Sequence, residues 1–433
     1  MEKLFENFNK VNFEDWKNQI IKDLKGKPIE VLNSNPEMDI EIKAFHHNEE
    51  KSNFVSAVKK SNNDWVIRKE FSTESNDELL EDLNQGINGI SVTAAQFKAL
   101  TKDVLFEHID TDITIDELDK TELPSSARLN FDIIGKAAKQ GRSLKDLSEF
   151  SSFFKQYQNN STIWVNGNLY GDAGATSIQE LAFTAAHLNE YVNALVNEGV
   201  AIEDINKKIN ICLSITNNYF VNIAKMRVIR TLVNAIFKAY DSNYTTAPIH
   251  LVAKTSVRYQ ALNDANSNLL RQTTQAMSAV IGGCDALTIN PLITGDKVQN
   301  DLNHRMAKNI QLILKEESYL DKVVDPSDGS YYLSDLSQQI LTKSWDLFNE
   351  IEKAGGFLES LKNEHIQSKI ADSRAYLIEQ MNHQKATFLG VNKFQSSLEN
   401  WTKAMVDKTQ DGPDFKNIRP FKLEQYFQNK VEA

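Results

Sequence analysis

Cysteine is nearly absent: the chain holds two, Cys212 and Cys284, in 433 residues. Two thiols cannot build the crosslinked scaffold of a small secreted fold, and no Cys/His spacing supports a zinc site. Both lie among apolar neighbours, as buried core thiols do. Positive charge is also short, with 48 Lys and Arg against 59 Asp and Glu and a formal net charge of −11. Such a chain repels phosphate backbones; this argues against general nucleic-acid binding and leaves room only for a local basic pocket. No apolar run is long enough to span a bilayer, and the opening Met1-Glu-Lys-Leu-Phe-Glu starts with acids instead of a cationic signal region. The expected setting is cytoplasmic, with no membrane contact.

Catalytic signatures are equally sparse. The turn Asn166-Gly-Asn-Leu-Tyr-Gly-Asp-Ala-Gly-Ala-Thr176 carries glycines at 167, 171 and 174 between a predicted strand and a predicted helix. It could cradle a phosphate, but it has neither the Lys-Ser/Thr ending of a P-loop nor dinucleotide spacing, so a tight strand-to-helix turn is the simpler reading. The eight histidines are scattered and none pairs with another one helical turn away, so no metal site is expected. His250 falls at the start of a predicted strand, the wrong end for chemistry in a parallel barrel. No Gly-x-Ser-x-Gly elbow and no Cys–His nucleophile context occurs.

What the chain does have is strand–helix alternation. Residues 1–85 read as an arm and linker, with one helix over Phe13–Lys25 that sets Trp16, Ile20, Ile21 and Leu24 on one face and stops at Gly26 and Pro28. From 86 to 335 short β-branched runs alternate with amphipathic segments. The expected strands are Gly89–Val92, Val104–His108, Ala127–Phe131, Thr162–Val165, Ile209–Ile215, Ile249–Ala253 and Ala286–Ile289, with residues 320–334 a candidate for the eighth. The expected helices include Ser177–Asn197, Tyr219–Tyr240, Leu269–Val280 and Arg305–Glu317. Thr176 offers an N-cap to the first of these and Gly199 a left-handed stop. The fold class expected is α/β, a (β/α)8 TIM-type barrel carrying an N-terminal arm. Residues 336–433 add a helical extension, Leu336–Lys353 and Phe357–Asn382, and then a polar tail.

Specific segments go further. Val165-Asn-Gly-Asn-Leu-Tyr-Gly-Asp-Ala-Gly-Ala-Thr176 followed by Glu180-Leu-Ala-Phe-Thr-Ala-Ala186 resembles the methylmalonyl-CoA mutase segment Ser-Gly-Tyr-His-x-Gln-Glu-Ala-Gly-Ala-Thr and its following helix. Asn218–Arg227, Asn309–Ser318, Val323–Tyr332, Glu352–Gly356 and Leu389–Lys393 are similar to the same family in the same order, as are Trp16–Gly26 and Trp65–Arg68. The resemblance covers essentially the whole chain. It implies a barrel that belongs to a carbon-skeleton mutase acting on coenzyme-A esters.

The departures from the family pattern are as informative. The resemblance implies a thioester-binding histidine on the sixth barrel strand; here that strand reads His250-Leu-Val-Ala-Lys-Thr-Ser-Val257 and the histidine position is Val252. An isopropyl group can neither donate a hydrogen bond nor act as an acid. The family glutamine of the glycine-rich turn is Gly171, and the coenzyme-A threading segment before Trp65 reads Phe54-Val-Ser-Ala-Val-Lys-Lys-Ser-Asn-Asn63. Arg68, Gly171, Lys254 and Ser256 are therefore the degenerate remains of a substrate site, and no catalytic residue is assigned. No Asp-x-His-x-x-Gly loop occurs to ligate cobalt. The resemblance then implies a small, non-catalytic subunit that binds no cofactor by itself. It would stabilise a catalytic large subunit in a heterodimer, the partner carrying adenosylcobalamin. Two alternatives stay open: a catalytic barrel served by a separate cobalamin-binding chain, and an assembly protein for the mutase.

Overall fold

The computed structural model describes residues 11–47, 49, 52, 54–55, 60–71, 75–100, 102–117, 123–244, 249–262, 264–292, 301–395 and 410–431. Strands β1 (Ser34–Glu37) and β2 (Ile40–Ile42) form an antiparallel hairpin in the N-terminal region. Eight more strands form one parallel sheet: β3 (Val66–Glu70), β4 (Gly89–Thr93), β5 (Asp110–Thr114), β6 (Arg128–Asn130), β7 (Ile163–Asn166), β8 (Ile209–Ile215), β9 (His250–Thr255) and β10 (Ala286–Thr288). Each pairs with its successor from β3 to β6 and from β7 to β10, and β10 pairs back onto β3. Between β6 and β7 the ring is drawn together by the parallel bridge Arg128–Ser161, where Leu129 N donates to Ser161 O at 2.9 Å. This is the expected (β/α)8 barrel.

Why these segments pack as a barrel follows from their outward faces. Ile67, Ile90, Ile113, Leu129, Ile211, Leu251 and Leu287 are essentially inaccessible and join one core with the surrounding helices. Each such side chain contributes about 1.5–3 kcal/mol by leaving water. The helix Ser177–Asn197 begins at a complete Thr176/Gln179 capping box and is followed by Gly199 at φ +80°, as the sequence indicates. With Tyr219–Tyr240 and Tyr331–Lys353 it makes the thickest part of the outer layer.

Two strand assignments need correction. Val104–His108 is not a strand; Phe106–His108 is a short 3-10 turn whose Phe106 packs on Phe97, with ring centroids 4.7 Å apart, and the strand follows at Asp110. The eighth strand is not in residues 320–334, which form turns running into the helix Tyr331–Lys353. It is β3, inside the segment expected to be arm and linker. Both errors share one cause. Parallel strands buried on both faces normally read as apolar runs, but β3 and β5 turn Arg68, Glu70, Asp110 and Asp112 inward. Helix ends also move: Leu269–Val280 becomes Ala265–Ile281, and Arg305–Glu317 becomes Asp301–Leu312 followed by a π turn. The helix expected over Phe357–Asn382 breaks at Asn363-Glu364, where Glu364 takes a positive φ of 57°.

Candidate functional site: the barrel interior

Strand register decides which side chains share the interior. Val66, Ala286, Val252 and Cys212 are successive register partners across β3, β10, β9 and β8, and with Trp164 they form a separate apolar cluster within the barrel. Val252 is 3% exposed. Burial pushes the Cys212 thiol up to about 12, so it is no nucleophile at neutral pH.

The other half of the interior is ionic. Arg68 contacts Asp112 through Nη1 and Asp110 Oδ1 through Nη2 at 2.5 Å, while Arg128 Nε donates to Asp112 Oδ1 at 2.8 Å and its Nη2 also meets Asp110. His250 Nε2 lies 3.2 Å from Arg68 Nη2. Because a guanidinium only donates, that nitrogen accepts and the imidazole proton sits on Nδ1. Burial, reinforced by Arg128 and Arg68, holds the His250 pKa far below its usual value. Burial likewise raises Asp112, outweighing the attraction of Arg68 and Arg128. Asp110, Arg128 and His250 are the first residues of their strands, so this cluster fills the N-terminal end of the barrel.

At the opposite end a cavity of about 420 Å3 opens among the last residues of the strands, where barrel enzymes place their active sites. Lys254 Nζ reaches both carboxylate oxygens of Glu70, at 2.6 and 2.7 Å. Burial works against the Glu70 carboxylate, yet Lys254 holds it below the usual range; by the same pairing Lys254 stays protonated and is no general base. Asn166 Nδ2 donates to Asp132 Oδ2 at 2.8 Å and its backbone N to the same oxygen at 3.0 Å. Among the described residues no group of three or more His, Cys, Asp or Glu could hold a metal ion. The floor of the cavity is Arg68, Asp112, Trp164, Cys212 and Val252.

The methylmalonyl-CoA mutase family model matches residues 132–430. The chain belongs to the methylmalonyl-CoA mutase family. It is 30% identical to the "Methylmalonyl-CoA mutase small subunit" of Porphyromonas gingivalis over 94% of this chain and 73% of that one. It is 28% identical to the small subunit of Propionibacterium freudenreichii subsp. shermanii over 64% of this chain and 44% of that one. It is 30% identical to the methylmalonyl-CoA mutase of Escherichia coli over 57% of this chain and 34% of that one. Of the latter two relatives it spans less than half the length.

Against the mutase pattern, the four degenerate positions separate into two places. Arg68 and Lys254 line the barrel-mouth cavity beside Val252. Gly171 and Ser256 do not. Gly171 sits in the short helix Asn168–Ala173, where an added Cβ would fall 2.0 Å from Ser214 Oγ and 2.8 Å from Glu180 Oε1. Ser256 Oγ donates to Asp172 Oδ1 at 2.6 Å, both side chains buried and outside the lining of that cavity. The mutase-like glutamine therefore has no room at position 171. Glu70, Asp112 and Asp132 are interior residues that sequence reasoning missed; their only signal is a charged side chain alternating with apolar neighbours such as Ile67, Phe71, Ile113 and Phe131.

Proposed function

We propose that this chain is a non-catalytic small subunit of an adenosylcobalamin-dependent methylmalonyl-CoA mutase, working by association with a catalytic large subunit. The observation that carries the reading is the state of the barrel axis. At the level of Val252 one half is packed with Trp164, Cys212 and Ala286, and the other is locked by Arg68 and Arg128 on Asp110 and Asp112. An ester threaded along the axis would have to break a buried ion cluster, and removing one partner of such a pair costs about 3–5 kcal/mol. At the end of that path it would find no hydrogen-bond donor at position 252.

The residues present do not fit adenosylcobalamin. The cavity of about 420 Å3 is at the low end of the roughly 300–1,000 Å3 that enclose drug-sized ligands, and a corrin with its adenosyl group is far bulkier. The Glu70–Lys254 pair bridges from β3 to β9 past β10 at the mouth. The family membership therefore supports a role within the holoenzyme, with the cofactor on the partner.

The N-terminal helix Phe13–Asp23 is the proposed partner contact. It is well formed, with an Asn12/Asp15 capping box, yet none of its residues is buried within this chain. Phe13 and Trp16 stack at 5.7 Å, and Trp16 meets Phe45 at 4.5 Å, so an aromatic patch stands at the surface.

The test is co-purification with a full-length mutase chain from the same source, followed by light scattering and an assay with adenosylcobalamin and methylmalonyl-CoA. A one-to-one complex, active only with the large chain and indifferent to Val252→Ala, is expected. Trp16→Ala should loosen the complex by about tenfold in Kd or more. Turnover by this chain with only a small cobalamin-binding protein added would overturn the proposal.

A further inference from the structure

A second cavity, of about 620 Å3, lies between the hairpin β1–β2 and the helix His365–Asn382, over the loops that follow β7, β8 and β9. It shares no lining residue with the barrel-mouth cavity. Arg258, 6% exposed, lines it. Among the described residues this guanidinium makes no ion pair. Its hydrogen-bond partner is the Ala175 carbonyl, at 3.4 Å from Nη1 and 3.5 Å from Nη2, the outer limit of such a bond. The Tyr259 ring lies 5.3 Å from its carbon, and its Nε is buried without a partner.

The acids that feel Arg258 are already engaged. Glu37, the one acid lining this cavity among the described residues, accepts from Ser177 N at 2.7 Å and Ser177 Oγ at 3.1 Å; Asp172 accepts from Ser256. Glu37 therefore occupies the N-terminus of the helix Ser177–Asn197, which is not free for an external anion. Beside Arg258 stands a second guanidinium, Arg374, held by the carbonyls of Ala173 and Arg419 and, among the described residues, by no carboxylate. Burial and the charge of Arg258 push its pKa down to about 10. Lys385 adds a further positive charge to the lining. A buried ion without a paired countercharge costs several kcal/mol, and Arg258, which lines the cavity, has in Arg374 a like-charged neighbour outside the lining.

We propose that this cavity binds a small organic anion, its carboxylate or phosphate head on Arg258 and its apolar body against Tyr259, Tyr376 and Leu377. The proposal concerns only this chain's own residues and stands apart from its place in the mutase.

Isothermal titration of the full chain with phenyl phosphate and with benzoate tests it. Saturable one-to-one binding of at least one probe is expected, weakened about tenfold or more by Arg258→Gln. Phenyl phosphate alone would identify a phosphate head, benzoate alone a carboxylate. Without ligand, Arg258→Gln should melt no lower than the wild type, because the variant removes a buried cation that no carboxylate among the described residues pairs with directly. A structural arginine would give the reverse, a lower Tm with unchanged binding. Should Arg258→Gln fail to fold, the exposed Lys385→Gln provides the second arm and must also weaken binding. No saturable heat with either probe up to about 5 mM, or equal affinities in wild type and variants, would overturn the assignment.

Discussion

Lys225 Nζ lies 2.6 Å from Glu180 Oε2, and both side chains are sealed from solvent between two long helices and the barrel wall. The other carboxylate oxygen accepts from Ser214 N at 2.6 Å, and Lys225 also donates to Ser214 O, so the pair pins β8 to both helices. Lys225→Met leaves a buried carboxylate uncompensated and should cost about 3–5 kcal/mol in urea unfolding. The double variant Glu180→Leu with Lys225→Met should recover most of that loss. If the double variant is no more stable than the single one, the pair is not an isolated electrostatic unit.

The same carboxylate governs Gly171. Gly171→Ala adds only the Cβ, which meets Ser214 Oγ and the fixed Glu180 carboxyl. The expected loss is about 1–3 kcal/mol, although alanine favours a helix. Adding Ser214→Ala should return part of it, while a stabilised Gly171→Ala would show that the wall yields.

Val252→His restores the side chain that the mutase resemblance implies. The expected outcome is no turnover of methylmalonyl-CoA with adenosylcobalamin present, because Arg68 remains bound to Asp110 and Asp112 and the interior stays closed. Measurable turnover would mean that this position alone separates the chain from catalysis.

Asp172 makes stability depend on pH. Burial raises its carboxyl to about 6, above the roughly 3.9 of an exposed aspartate. The folded chain therefore holds this proton more tightly than the unfolded one. The corresponding stabilisation is complete below about pH 4 and is lost as pH rises through about 6. Asp172→Asn should remove that slope, so that between pH 4 and 7 the wild type loses about 2–3 kcal/mol relative to the variant. Parallel pH profiles of the two proteins would contradict the assignment.

Most of the fold was legible because the outer faces of β4 and of β6 to β10 are apolar, and because caps such as Thr176 and stops such as Gly199 mark helix ends locally. β3 and β5 were not legible: Arg68, Glu70, Asp110 and Asp112 look solvent-seeking until the closed sheet brings cations and acids together. The arm shows the same contrast. Its helix Phe13–Asp23 could be read from spacing, but the hairpin β1–β2 could not, since Ser34-Asn-Pro-Glu37 has no strand pattern of its own.

By itself, the sequence determined the class of fold and the mutase-like segments, which depend on residue order and local periodicity. Only tertiary structure decided which side chains meet in the barrel interior. Whether Arg68 is a ligand for substrate or a clamp on Asp112, and whether Glu37 faces solvent or caps the helix Ser177–Asn197, depends on side chains more than 40 residues apart. A buried charge takes its role from the partner that neutralises it, and that partner is chosen by the closing of the barrel.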